Sequence, residues 1–188
     1  MVNLTDQFSC PGFRIVEDRK IRCHKVGGHG GETFLQGMMN SCNPVLIDVG
    51  QRLGPERYYQ YFKQFGLLGK TGIDLPGEAD ASTLVYQADN MGPMDLATNS
   101  FGQNYNCTMV QMAAAFASTI NGGYYYEPHI VKQILNESGS VVKKNDRLLV
   151  RETVSASTSD FIRRALVRTV AEGTGKAAQV AGYEVGGK

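Results

Sequence analysis

The segment Thr108–Gly123 constrains the fold of this chain more than any other part of its sequence. Its apolar side chains recur at the spacing of an α-helix, at Met109, Met112, Ala113, Phe116 and Ile120. Thr108 is a residue type that caps a helix at its start, and Asn121-Gly122-Gly123 is a sequence at which helices end. The pattern predicts a helix whose stripe of Met109 and Phe116 packs in a hydrophobic core.

Glycine and proline divide the rest of the chain into short elements. We predict helices that begin near Glu32, at Pro44 and at Pro55, and a last helix over residues 159–171. The other predicted elements are a β-ribbon and glycine turn over residues 9–31, a surface loop over 67–90, strands over 124–150 with a hairpin at 136–139, and a strand-like end over 180–188.

The composition excludes several classes of protein. The 188 residues are 42% hydrophobic and 20% charged, so the chain is long enough and apolar enough to build one globular domain. The formal net charge is +1 and basic residues form no cluster, so we expect no nucleic-acid partner. The sequence has no apolar run of the roughly 20 residues that a membrane span needs.

Two short motifs point to a chemistry. Ser41-Cys42-Asn43 follows a predicted helix, and Gly186-Gly187-Lys188 ends a predicted strand. One superfamily of serine enzymes uses three motifs in the order S-x-x-K, S-x-N and K-T-G. The two motifs of this chain fit the second of these and the lysine of the third.

Four segments in the same order resemble the transpeptidase domain of class B penicillin-binding proteins. They are GGHGGETFLQGMMNSCNPVLIDVGQRLG, LLGKTGIDLPGE, NSFGQNYNCTMVQMAAAFASTINGG and VAEGTGKAAQVAGYEVGGK. The SCN motif and its glycine-rich lead-in are most similar to division or sporulation members of that family. The resemblance implies an α+β fold with helices packed on an antiparallel sheet, and a partial transpeptidase domain over residues 1–188.

The family pattern is incomplete in this sequence. No S-x-x-K stands before Ser41, and the third motif stops at Lys188. We therefore expect a piece of a longer D,D-transpeptidase that does not acylate on its own, because the nucleophilic serine of the family lies outside it.

The resemblance assigns a role to three residues. The hydroxyl of Ser41 would relay a proton, because a hydroxyl both donates and accepts. Asn43 would hold the substrate amide, and Lys188, at a sheet edge facing the cleft, would attract the terminal carboxylate of the substrate. The structural alternative is that Ser41 and Asn43 only cap the helix that begins at Pro44.

Lys70-Thr71-Gly72 also spells the third motif, but it precedes the SFGQ segment and lies in the turn-rich loop. The resemblance assigns it to that loop, with no catalytic part.

The cysteines allow two further hypotheses. Cys10, Cys23, His24 and His29 could bind zinc, but their spacing matches no strong zinc pattern, so we expect no metal. A Cys23–Cys42 disulfide could lock the glycine-rich segment against the cleft and block Ser41, and closing such a loop is worth about 3 kcal/mol. Pairing of Cys10 with Cys23 is the competing connection.

The resemblance also implies substrates and a location. A protein of this family cross-links peptidoglycan stem peptides through a serine acyl-enzyme, is inhibited by β-lactams and needs no cofactor. We expect the parent to be anchored in a bacterial cell membrane, with its catalytic domain outside and with cell-wall synthesis partners. The alternative is a non-catalytic β-lactam sensor or a peptidoglycan-binding module of the same fold.

Overall fold

The computed structural model describes residues 2–188, which form six α-helices and eight β-strands. The helices are α1 (Phe34–Met39), α2 (Asn43–Leu53), α3 (Pro55–Gln64), α4 (Pro93–Ser100), α5 (Met109–Ile120) and α6 (Ala156–Glu172). The strands are β1 (Gln7–Cys10), β2 (Phe13–Val16), β3 (Arg19–Arg22), β4 (Gly30–Thr33), β5 (Tyr124–Tyr126), β6 (Gln133–Leu135), β7 (Val141–Lys144) and β8 (Leu149–Glu152). Single turns of 3₁₀-helix lie at Ser82–Leu84 and Lys176–Ala178.

The chain divides into two compact units. The first contains the residues up to Tyr59, then Tyr86–Tyr105 and Phe161–Lys188, and the second contains Gln60–Val85 and Asn106–Asp160. The motif Ser41-Cys42-Asn43 and Lys188 are therefore in the first unit.

The first unit is built around α2. Strand β1 pairs antiparallel with β4, and β2 pairs antiparallel with β3. Proline at the second helical position starts α2, where its missing N–H costs no hydrogen bond. Val45 and Ile47 of this helix are fully buried. Gly50 allows α4 to approach, because a Cβ there would lie 1.8 Å from the Oγ of Ser100.

Helix α1 begins with a reciprocal cap. The hydroxyl of Thr33 accepts the N–H of Gln36 at 3.2 Å, and the side chain of Gln36 accepts the N–H of Thr33 at 2.8 Å. This arrangement satisfies two backbone donors that a helix start otherwise leaves unpaired. It fixes the start of the helix that leads into Ser41.

The second unit contains α5 and two antiparallel pairs, β5 with β8 and β6 with β7. Thr108 caps α5 as predicted, and Gln111 completes a capping box with it. The predicted hairpin between β6 and β7 is also confirmed: Gly139 donates its N–H to the carbonyl of Asn136 at 2.9 Å and has φ +80°. The pairs are all antiparallel, so the α+β expectation is confirmed.

The prediction for the apolar stripe of α5 was wrong. Met109 is 89% exposed, Met112 42% and Phe116 41%. The buried positions of this helix are instead Gln111, Ala115 and Ser118. Small or hydrogen-bonded side chains at these positions let neighbouring segments of the same chain approach closely. The polar face of α5, which carries Gln111 and Ser118, is therefore the packed one.

Two other expectations need correction. Residues 180–188 form no strand in the described part of the chain, because a strand needs a partner ladder and the backbone of this segment pairs with none of the eight strands. Helix α4 was not predicted, because it is short and its second half is polar: the side chains of Thr98, Asn99 and Ser100 each donate to a carbonyl one turn earlier. None of the helices in residues 2–188 is both long enough and apolar enough to cross a bilayer.

Candidate functional site

Ser41 adopts a backbone conformation that few residues other than glycine adopt. Its φ is +50°, in the left-handed region. The N–H of Ser41 bonds the carbonyl of Met38 at 3.1 Å, and the N–H of Cys42 bonds the carbonyl of Gly37 at 2.8 Å. These two bonds form the Schellman motif that ends α1, in which glycine is usual at the position of Ser41. Strain of this kind concentrates at functional sites.

Asn43 is held by the β-ribbon. Its side-chain amide donates to the carbonyl of Arg22 at 3.0 Å, at the end of β3. The amide oxygen of Asn43 and the hydroxyl of Ser41 accept or donate no hydrogen bond within residues 2–188. Both groups therefore keep unused hydrogen-bonding capacity.

The capping alternative for these residues is wrong. The residue at the cap position of α2 is Cys42, which makes no side-chain capping bond, and Asn43 is already in the helix. Ser41 lies at the end of α1 rather than at the start of α2.

Lys188 ends a segment that runs along α6. Gly187 donates its N–H to the carbonyl of Leu166 at 3.2 Å. The Lys188 side chain is exposed, and no hydrogen bond or ion pair joins it to Ser41 or Asn43 in the described residues. The convergence of Lys188 with Ser41 and Asn43 on one groove therefore stays a prediction.

The segment Lys70-Thr71-Gly72 has a structural use. Both the N–H and the hydroxyl of Thr71 donate to one carboxylate oxygen of Glu78, at 2.6 and 2.7 Å. The N–H of Gly72 donates to the other oxygen at 3.2 Å. Partial desolvation opposes ionisation of Glu78, but these bonds outweigh it and hold its pKa below the usual value. Thr71 is buried, so this K-T-G closes its own loop, and it lies in the loop to which the resemblance assigned it.

The sequence also contains an S-x-x-K spacing in the wrong place, which was not considered above. Ser140 and Lys143 have S-x-x-K spacing, but Lys143 is in strand β7 and Ser140 is in the turn before it. The first motif needs a helix to bring its serine and lysine onto one face, whereas residues three apart in a strand point to opposite faces. This pair therefore has the wrong geometry for the nucleophile.

Four potential metal ligands meet beside the SCN motif. The Sγ atoms of Cys10, Cys23 and Cys42 and a ring nitrogen of His29 all lie within 4.8 Å of one another. The three cysteines are buried, with 0%, 5% and 0% exposure, and all are free thiols. Of the zinc ligands considered from the sequence, three are in this cluster. His24 is not, and its Nε2 instead lies 2.7 Å from the carbonyl oxygen of Asn40.

The surroundings of the cluster affect its ionisation. Burial raises the pKa of the Cys42 thiol far above its usual value, and the Glu32 carboxyl beside it adds to the effect. Burial also opposes ionisation of Cys10, but the N–H groups of His29 and Gly12 and the neighbouring thiols lower its pKa. Burial lowers the pKa of His29. A lowered pKa favours the neutral imidazole, which is the form that binds metals.

Comparison with known proteins gives a consistent result. The family model for the penicillin binding protein transpeptidase domain matches residues 1–188. The chain is 43% identical over 189 residues to stage V sporulation protein D of Bacillus subtilis, covering 100% of this chain and 29% of that protein. It is 33% identical over 156 residues to penicillin-binding protein PbpB of Mycolicibacterium smegmatis, covering 79% of this chain and 24% of that protein.

Solved structures share the fold. The D,D-transpeptidase domain of a peptidoglycan glycosyltransferase from Eggerthella lenta superposes with a TM-score of 0.90 at 23% identity, over 98% of this chain and 48% of that one. Penicillin binding protein 3 of Mycobacterium tuberculosis, solved in complex with ampicillin, gives a TM-score of 0.85 at 28% identity, over 97% of this chain and 41% of that one.

Proposed function

The chain belongs to the penicillin-binding protein transpeptidase family, and we propose that it supplies the second motif and the lysine of the third motif of a serine-type peptidoglycan D,D-transpeptidase. It spans 29% and 24% of the length of the first two curated relatives that it matches. The nucleophilic serine is proposed to lie in the remainder of such a protein. The 188 residues alone are then inactive.

One observation carries the assignment of the site. Ser41 stands in the left-handed conformation at the end of α1, and its hydroxyl has no partner in residues 2–188. Holding a serine where glycine is usual costs roughly 1–3 kcal/mol, which the surrounding structure must offset. A serine hydroxyl without an internal partner, held on a strained turn, is suited to a reacting partner.

Each proposed role fits the local contacts. Ser41 passes a proton between the catalytic lysine of the first motif and the leaving nitrogen of the D-alanyl peptide. Asn43, fixed through its amide nitrogen on Arg22, presents its amide oxygen to a backbone N–H of the stem peptide. Lys188 supplies a positive charge for the terminal carboxylate. No cofactor enters this scheme.

The names of the relatives suggest a finer assignment. The relative that is 43% identical over the whole chain is a sporulation protein. We propose a role in spore or septal wall synthesis, with the catalytic domain held outside the membrane by a part of the protein beyond these residues. Stem peptides are the substrates, β-lactams the inhibitors, and other cell-wall enzymes the partners.

The test uses the longer protein that contains this chain. Its labelling rate with fluorescent penicillin is measured for Ser41→Ala, Asn43→Ala and Lys188→Ala. Ser41→Ala should slow acylation by roughly 10²–10⁴-fold, the usual contribution of a positioned proton-transfer group. Asn43→Ala and Lys188→Ala, which remove substrate contacts, should slow it as well. The matched control is Lys70→Ala in the misplaced K-T-G, which should be labelled at the unaltered rate. Unaltered labelling of Ser41→Ala would refute the proposed role.

The second candidate is a β-lactam sensor of the same fold. A sensor also stays labelled after denaturation, so labelling does not separate it from an enzyme. Turnover of a synthetic stem peptide with an acceptor amine separates a sensor from an enzyme. A labelled protein that forms no cross-linked product would be a sensor, and a labelled protein that forms one would be a transpeptidase.

A further inference from the structure

The four potential ligands come from the ends of four separate elements. Cys10 is the last residue of β1, Cys23 follows β3, His29 precedes β4, and Cys42 is at the cap position of α2. Their sulfur and nitrogen atoms nevertheless lie within 4.8 Å of one another. Three thiols and an imidazole form one of the ligand sets of structural zinc sites.

The spacing fits a tetrahedral ion. With Zn–S near 2.3 Å and Zn–N near 2.0–2.1 Å, neighbouring ligand atoms in a tetrahedron lie about 3.6–3.8 Å apart. The Sγ of Cys23 and the Nδ1 of His29 are 3.7 Å apart, so this edge already has the required length. The others need only small side-chain movements to reach it.

The backbone around the cluster is shaped for close approach. A Cβ on Gly28 would lie 2.1 Å from the carbonyl oxygen of Cys10 and 2.5 Å from the nitrogen of Gly12. Gly28 has φ +76° and Gly12 has φ +92°, so both positions also favour glycine by conformation. These two glycines let the loop carrying His29 lie directly against the loop carrying Cys10.

The start of α2 favours a negative charge at Cys42. Cys42 is at the cap position of this 11-residue helix, where the helix dipole stabilises an anionic group such as a metal-bound thiolate.

A buried carboxyl group points at the same place. Glu32 is only 3% exposed, and its Oε1 has no hydrogen-bond partner. This oxygen lies 3.8 Å from the Nδ1 of His29, while Oε2 accepts the side-chain amide of Asn40 at 3.0 Å. An unpaired carboxylate oxygen in the core is costly, and a cation among the four ligands would offset that cost.

We propose that Cys10, Cys23, His29 and Cys42 bind one zinc ion that fixes the SCN motif. Because Cys42 lies between Ser41 and Asn43, an ion on its sulfur restrains both neighbours. The imidazole and the odd number of thiols favour an ion over a disulfide, which would leave one cysteine and the histidine unused. A Cys23–Cys42 disulfide and the ion exclude each other, since both use the same sulfur atoms.

The test requires neither peptide nor β-lactam, so it can fail or succeed independently of the proposed transpeptidase function. The chain is purified under reducing conditions, and its zinc content is measured by mass spectrometry. Metal-free chain is then titrated with cobalt(II). The expected result is one equivalent of metal, with the sulfur-to-cobalt charge-transfer band and the intense visible bands of a tetrahedral thiolate site.

Variants identify the ligands. Cys10→Ser, Cys23→Ser, Cys42→Ser and His29→Asn should each weaken zinc binding by more than the roughly 10–100-fold typical of an outer partner, and Glu32→Gln should fall within that range. Cys107→Ser and His24→Asn are the matched controls, and both should bind zinc as the unaltered chain does.

Three results would overturn the proposal. The first is a reduced chain, folded by circular dichroism, that shows no tetrahedral cobalt spectrum. The second is metal binding that survives Cys23→Ser but is lost in Cys107→Ser. The third, measured by thiol titration of the unaltered chain, is a Cys23–Cys42 disulfide that persists and excludes zinc.

Discussion

The N–H of Thr174 donates to the carbonyl oxygen of Met39 at 3.1 Å, and its hydroxyl approaches the same oxygen at 3.2 Å. Met39 is the last residue of α1, two positions before Ser41. The turn after α6 is thereby fixed on the helix end that holds the second motif. This contact joins the segment leading to Lys188 with the segment that carries Ser41.

The close approach at this contact depends on Gly173. A Cβ there would lie 2.4 Å from the carbonyl oxygen of Met39 and 3.0 Å from that of Thr169, both backbone atoms that cannot move aside. We expect Gly173→Ala to lower the free energy of unfolding by about 1–3 kcal/mol, the usual cost of overpacking. Denaturant titration of the variant and the unaltered chain measures this difference in the free energy of unfolding.

The control for this change is Gly69→Ala. A Cβ on Gly69 meets no atom within 4 Å. Its effect on the free energy of unfolding should stay within about 0.5 kcal/mol. Equal stabilities of the two variants would show that the turn after α6 does not need its close contact with Met39.

The second prediction concerns the strain at Ser41. Glycine has no Cβ and adopts positive φ readily, whereas alanine bears the same backbone strain as serine. We expect Ser41→Gly to have a free energy of unfolding about 1 kcal/mol higher than that of Ser41→Ala. The comparison of two variants cancels the loss of the hydroxyl.

The matched pair is Gln60→Gly and Gln60→Ala, at an exposed position within α3. There the order should reverse, with glycine less stable by about 1 kcal/mol. If alanine is the more stable residue at position 41 as well, the left-handed conformation of Ser41 is not a source of strain.

The sequence predicted the elements that carry strong local signals. Pro44, Pro55 and Thr108 start helices where expected, and the turn at Asn136–Gly139 forms its hairpin. The prediction that the apolar stripe of α5 is buried failed, because periodicity identifies a helix but not which of its faces meets neighbouring elements. Helix α4 and the end of the chain depend on side-chain and ladder partners that no local pattern reveals.

The candidate site also has features that the sequence predicts and features that only the fold provides. The order of motifs predicts Ser41, Asn43 and Lys188 as site residues, and their convergence stays a prediction. The left-handed turn at Ser41 follows from the Schellman bonds and not from composition. The cysteine cluster could not be assembled from spacing, because residues 10, 23, 29 and 42 fit no compact zinc pattern. Strand pairing brings Cys10 to the loop before β4, and only the fold adds Cys42.

The third prediction is a pH dependence that arises at Glu78. Its pKa is lowered in the folded chain by hydrogen bonds from Thr71 and Gly72, which outweigh desolvation. A lowered pKa contributes stability that is present above the unfolded value of about 4.3 and is lost as pH falls through the folded value. Relative to Glu78→Gln, the unaltered chain should be more stable at neutral pH and should lose this advantage in acid.

The measurement is urea unfolding of both proteins between neutral pH and about pH 3, below the usual pKa of glutamate. Glu137→Gln is the control, because that exposed side chain makes no hydrogen bond in the described residues. If the difference in the free energy of unfolding between the unaltered chain and Glu78→Gln grows as the pH falls, the hydrogen bonds from Thr71 do not stabilise the ionised Glu78.

The last prediction tests which face of α5 is packed. Gln111 is fully buried; its side chain accepts the N–H of Thr108 at 2.7 Å and donates to the carbonyl of Gly69 at 2.7 Å. Removing it leaves two partly buried backbone groups unpaired, each worth up to about 1–3 kcal/mol. Gln111→Ala should therefore lower the free energy of unfolding by about 2–4 kcal/mol, and amide exchange at Thr108 should accelerate.

Met109 provides the contrast within the same helix. Because it is 89% exposed, Met109→Gln should change the free energy of unfolding by less than about 0.5 kcal/mol. Both variants are compared by denaturant titration under one set of conditions. A larger loss in Met109→Gln than in Gln111→Ala would restore the apolar stripe as the packed face, and a larger loss in Gln111→Ala places the contacts of α5 on its polar side.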